Sequence, residues 1–75
     1  MCAYEEKLIS ILENYVEADE IKSEDTFKSD LGLSSFEIMC LIADVADDTG
    51  VTLKSSDFIS NKTVGRLAEY IDSLL

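Results

Sequence analysis

The segment Ser35–Thr49 constrains this chain more than any other. At about 100° per residue, Ile38, Leu41, Ile42, Val45 and Thr49 fall on one side of a helix. Phe36, Met39, Cys40 and Ala43 fall roughly opposite, and Glu37, Asp44, Asp47 and Asp48 fill the remainder. Gly50 ends the pattern as a glycine just past a helix does. The start is Asp30-Leu31-Gly32-Leu33-Ser34-Ser35-Phe36-Glu37, an acid and a glycine turn leading into two serines. A helix with so broad an apolar side must bury it against other helices. A small bundle does not readily bury both sides, so the second strip is predicted to stay partly exposed as a docking strip.

The rest of the chain supplies partners of the same kind. A first helix is predicted over residues 3–16, with Tyr4, Leu8, Ile11, Leu12 and Tyr15 at helical spacing and Ile9 and Val16 widening the face. Residues 17–34 read as a long polar connection pinned by Ile21 and Phe27, with Leu31 and Leu33 tucked inward beside Gly32. Val51 and Leu53 pass the core margin. Ser55-Ser56-Asp57 reads as the cap of a short helix over residues 56–60. A last helix is predicted over residues 63–74, capped by Thr63, with Val64, Leu67, Ala68, Ile71 and Leu74 or Leu75 buried. The fold class is all-α: a small four-helix bundle of three main helices and one short one, in a single domain over residues 1–75.

Seventy-five residues give a modest core and no room for a water-excluding active-site cleft, which favours a carrier or a binding module over an enzyme. Sixteen acidic against six basic residues leave a net charge of -10. Such a surface repels nucleic acid and anionic membranes and suits partners with basic docking patches. We expect a monomer, with no nucleic-acid partner and no membrane insertion. Cys2 and Cys40 form no disulfide framework or zinc spacing, there is no histidine, and the N-terminus does not read as a signal peptide. Free thiols and a cytoplasmic location follow as expectations.

A serine at a helix start sits among unpaired N–H groups at the positive end of the helix dipole, where a phosphodiester is well placed. No base or acid partner is visible to make it a nucleophile, so the serine reads as modified rather than attacking. The plain alternative is that Ser34 or Ser35 serves as an N-cap. The segment Asp30-Leu31-Gly32-Leu33-Ser34-Ser35-Phe36 resembles the attachment motif of acyl carrier proteins, Asp-Leu-Gly-x-Asp-Ser-Leu. Val51-Thr52-Leu53, and Thr63-Val64 with Leu67, Tyr70 and Ile71, extend the resemblance over essentially the whole chain. It implies a non-catalytic carrier with 4'-phosphopantetheine, derived from coenzyme A, on Ser35, and Asp30, Gly32, Ser34 and Phe36 as its motif context. Ser34 departs from the family's usual Asp and Phe36 from its usual Leu.

The implied partners are a phosphopantetheinyl transferase and acyl-transferring and chain-elongating enzymes. Their docking residues would be Glu37, Met39, Cys40, Ala43, Asp44, Asp47 and Asp48. Fatty acid biosynthesis is the first pathway, a polyketide or other secondary pathway the second, and an aminoacyl carrier the third. The family also implies that acyl chains tuck between helices, which Ala43, Ala46 and Ala68 would ease. Two readings stand outside the carrier class: an acidic helical interaction module without cofactor, and a small enzyme using Cys40, which lacks a histidine to activate it. Asp44, Asp47 and Asp48 read as a solvated acidic face rather than a metal site, and Lys62 with Arg66 as a small basic spot at the start of the last helix.

Ten excess negative charges repel one another more in the folded chain than in the unfolded one. The melting temperature is therefore expected to rise with added salt, and to rise more per unit concentration with magnesium or calcium, with Asp44, Asp47 and Asp48 as the gathering point. A thermal melt that stays flat across a salt titration would show that the charge costs the fold nothing.

Overall fold

The computed structural model describes residues 3–17 and 20–75. Among them are four α-helices and no strand: α1 (Glu5–Leu12), α2 (Ser35–Thr49), α3 (Ser55–Ser60) and α4 (Val64–Leu74). The all-α, four-helix reading is correct. Cys2 lies outside the described residues.

Helix α2 has the bounds its periodicity predicts. Ser34 caps it at φ -80° and ψ 166°, and Gly50 closes it at φ 80° in the left-handed region that favours glycine. Its broad side delivers Ile38, Leu41 and Val45 to the core, while Ile42 is half-buried. Helix α1 is shorter than predicted. Beyond Leu12 the amides of Asn14 and Tyr15 turn back on the carbonyls of Ile11 and Leu12, so the helix tightens into a turn instead of running to Val16. Tyr4, Leu8 and Leu12 are buried as expected.

Helix α3 begins one residue early, and its cap is not a serine. The Asp57 carboxylate reaches back to accept the Lys54 N–H at 2.8 Å, so the third residue of the helix caps it. In α4, Thr63 caps through a hydrogen bond from the Arg66 N–H, and Val64, Leu67, Ala68 and Ile71 are buried. Leu74 and Leu75 are a correction: they are 51% and 63% exposed, because beyond Ile71 the rest of the bundle offers no surface to bury them.

The segment joining α1 to α2 is anchored by its backbone as well as by its side chains. Ile21 and Phe27 are buried, as is Leu33. The Val64 N–H donates to the Asp25 carbonyl and the Gly65 N–H to the Ser23 carbonyl at 2.8 Å, beside a β-bridge between Thr26 and Thr63. These bonds use two amides that the start of α4 leaves without helical partners. Gly65 suits this contact, because a Cβ there would displace the Ser23 hydroxyl and lie 3.2 Å from the Ser23 carbonyl. Ser23 Oγ in turn donates to Glu5, the one buried charged residue among those described.

Two tyrosines of the α1 region hold down the acidic side of α2. The Tyr4 hydroxyl donates to Asp48 at 3.1 Å and the Tyr15 hydroxyl donates to Asp44. Lys7 pairs with the other Asp48 oxygen at 3.5 Å. The hydrogen bond to Asp44, with some burial and the nearby negative charge, pushes the Tyr15 phenol up to about 12. Burial and Asp48 push Tyr4 up further. A phenol whose folded pKa exceeds its unfolded value near 10 stabilises the fold fully below that value, and the contribution fades as pH rises through the folded one. The urea midpoint is thus expected to fall between about pH 10 and 12. Lysines titrate in the same window, so the test is the difference between wild type and Tyr15→Phe. The variant should start lower and lose less, and parallel curves would show that the phenol contributes no pH dependence.

Candidate functional site

The turn before α2 is built around two glycine-dependent and acid-dependent features. Gly32 has φ 68°, which an L side chain adopts only under strain. Asp30 stands four residues from Thr26 and accepts its N–H at 2.8 Å, while the Asp30 N–H donates to Thr26 Oγ at 3.1 Å. The Leu31 and Leu33 amides close on the carbonyls of Thr26 and Phe27. Asp30 thus shapes the loop, its carboxylate bonded to both the amide and the hydroxyl of Thr26.

The two serines divide the work. Ser34 Oγ accepts the Glu37 N–H at 3.1 Å, and Glu37 Oε1 accepts the Ser34 N–H at 2.8 Å, a reciprocal capping box. Ser35 is exposed, and its hydroxyl makes no hydrogen bond among the described residues. It occupies the first helical position, in the turn whose N–H groups lack helical partners. The ambiguity left by two adjacent serines resolves: Ser34 is the cap, and Ser35 presents a free hydroxyl at the positive end of a helix dipole.

Around Ser35 the side chains take three different settings. Phe36 and Met39 are 73% and 64% exposed, so they do not bury against the loop. Ala43 and Asp47 are exposed with them, and Cys40 is a free, half-buried thiol. Glu37 is spent partly on the capping box, and Asp44 and Asp48 are engaged by tyrosines. Asp47 is the unencumbered carboxylate of the helix, and no cluster of three or more metal-ligating side chains forms among the described residues.

The other side of Ser35 opens into a cleft of about 380 Å³ between the 26–29 segment, the start of α2 and α3. Phe27 and Phe58 meet edge to face there at 5.0 Å, with Ile38 beside them and Ile59, Lys28 and Lys62 among the other lining residues. Sequence reasoning missed this cleft, because its walls come from three separate segments. Lys62 precedes the Thr63 cap and lines this cleft, and Arg66 lines a hollow with Glu5 and Glu69. Nor do the three alanines form a passage: Ala43 faces out, Ala46 is half-buried and Ala68 is fully packed.

An exposed, unbonded serine at a helix start, beside an open cleft and free of any adjacent base, fits a covalent tether. A family model described as the phosphopantetheine attachment site matches residues 6–71. The chain belongs to this family of phosphopantetheine-attachment domains. Among its relatives are the acyl carrier protein of Exiguobacterium sp. (strain AT1b), 36% identical over 59 residues, and that of Exiguobacterium sibiricum, 37% identical over 57. The first alignment covers 79% of this chain and 75% of the relative, the second 76% and 72%. The protein is accordingly a non-catalytic acyl carrier that works with enzyme partners, and its cofactor is a covalent 4'-phosphopantetheine, whose terminal thiol supplies a thioester linkage for the cargo. Among the described residues no helix is long and apolar enough to cross a membrane.

Ser34→Ala removes one capping hydrogen bond and is expected to lower stability by about 1 kcal/mol. Denaturant unfolding checks this. Loss much below that figure would mean that Glu37 and solvent cap the helix unaided.

Proposed function

We propose that Ser35 is the attachment residue and that the chain serves fatty acid biosynthesis as a single carrier domain over residues 1–75. The observation that carries the site assignment is the split between the serines: Ser34 Oγ is committed to the Glu37 amide, and Ser35 Oγ is exposed and free. A phosphopantetheinyl transferase would join the phosphate of the arm to that oxygen. Asp30 and Gly32 would act by shaping the loop that presents the serine. The acidic α2 supports the fatty-acid pathway over a secondary one, and the relatives' name, acyl carrier protein, supports the carrier class without naming a pathway.

The docking face would be the outer strip of α2, with Phe36, Met39 and Ala43 at contact and Asp47 the most available charge. Cys40 and Glu37 would sit at its edge. Asp44 and Asp48 would contribute to the field while held by Tyr15 and Tyr4. Enzymes with basic patches fit this surface.

Incubation with coenzyme A and a broad-specificity transferase, followed by intact mass, tests the attachment residue. The mass should rise by one phosphopantetheine in wild type and in Ser34→Ala, and not in Ser35→Ala. Modification that survives Ser35→Ala would sink the assignment. Transferase kinetics test the docking face. Asp47→Lys should raise the apparent Michaelis constant several-fold at low salt and much less at high salt, since exposed charges act on encounter. Unchanged kinetics at low salt would place docking elsewhere.

A further inference from the structure

The cleft beside Ser35 has the opposite electrostatic character from the rest of the molecule. The chain carries 16 acidic and 6 basic residues, yet the cleft is lined by Lys28 and Lys62 and by no carboxylate. Neither lysine is paired: the ion pair found among the described residues joins Lys7 to Asp48. The two lysines come from different segments, one from the loop before α2 and one from the turn before α4, and converge on the same opening. Ser35 and the apolar Ile38, Phe58 and Ile59 line the same cleft, Ile59 being 70% exposed.

We infer that Lys28 and Lys62 hold the phosphodiester end of the prosthetic arm, so that the arm's first segment lies back over this cleft instead of extending freely into solvent. The inference rests on Ser35 being the attachment residue. The arm's chemistry matches the opening in order. Its phosphodiester begins at the Ser35 oxygen, and a carbon bearing two methyl groups follows almost at once. An anion at the lysines therefore places those methyl groups against Ile38, Phe58 and Ile59. A phosphodiester added to a chain of net charge -10 is repelled by most of the surface. The cationic opening is the nearby place where that repulsion is offset, and lysine ammonium groups on flexible stems can follow an anion there. A loosely held arm also suits a carrier, because a partner enzyme has only to outcompete two solvent-exposed ion pairs to draw the arm out.

The test uses the uniformly 15N-labelled protein before and after loading with unacylated phosphopantetheine, read by amide shifts and by the 31P resonance. Wild type is compared with Lys28→Gln/Lys62→Gln and with a charge-matched control, Lys7→Gln/Lys22→Gln, remote from the cleft. Loading should shift the amides of Phe58, Ile59 and Lys62 in wild type and in the control. Those shifts should collapse in Lys28→Gln/Lys62→Gln, and in wild type at about 1 M salt, where the Debye length is about 3 Å. The 31P line should narrow under the same two conditions as the phosphodiester is released. Shifts confined to residues 34–37, or shifts that persist unchanged in Lys28→Gln/Lys62→Gln, would overturn the inference while leaving Ser35 as the attachment residue. Absence of any mass gain on loading would overturn the Ser35 reading itself, and the inference with it.

Discussion

The contact between Gly65 and Ser23 sets the geometry on which the rest depends. It brings the backbone of the long loop against the first turn of α4, with the Gly65 amide on the Ser23 carbonyl and little space for a methyl group between them. Glu5 of α1 completes the junction by accepting the Ser23 hydroxyl from a buried position. One small polar knot therefore joins α1, the loop and α4. It lies close to the positive end of α4, where a carboxylate is favoured. From this junction the chain runs through the Thr26–Thr63 bridge into the Asp30 turn, and the turn delivers Ser34 and Ser35. Ser35, the proposed attachment residue, is thus placed by backbone hydrogen bonds to another helix as well as by the buried Ile21 and Phe27.

Much of this was legible in the sequence. The periodicity of α2 was strong enough to give both its ends and both its sides, because Gly50 and the paired serines punctuate it and its apolar residues keep one phase. The buried face of α4 was equally plain up to Ile71. What failed was local chemistry that periodicity does not carry. The end of α1 depended on the Asn14 and Tyr15 amides tightening to i-3 carbonyls, and the apolar spacing was compatible with either outcome. The cap of α3 came from Asp57 reaching back to Lys54, not from a serine in front. The apolar phase of α4 continued to Leu74 and Leu75, but the bundle offered no surface there to bury them.

The site shows the same division. The motif put Ser35 in place, and only the hydrogen bonds separated its role from that of Ser34. The acidic side of α2 read as uniform carboxylates, whereas the structure sorts them by their tyrosine neighbours. Asp44 and Asp48 are tied to Tyr15 and Tyr4, residues distant in sequence, and Asp47 is left to solvent. Those pairings depend on how α1 crosses α2. No single-chain pattern reports that crossing. The cleft was invisible for the same reason, since Phe27, Ile38 and Phe58 meet only after three segments are assembled.

The two sides of Ser35 then make different demands on anything attached to it. Outward lies a strip with exposed Phe36 and Met39 and a negative fringe, which attracts a basic partner and repels a tethered phosphodiester. Inward lies an apolar cleft whose charged groups are both cationic. A carrier must present its cargo to enzymes without letting the arm compete for the surface those enzymes use. With the carboxylates of α2 on one side of Ser35 and Lys28 and Lys62 on the other, charge alone would suffice for that separation if Ser35 carries the arm. On the inference drawn above, the two lysines beside Ser35 would keep the arm's own anion off the acidic face until a partner with a stronger cationic patch engages it.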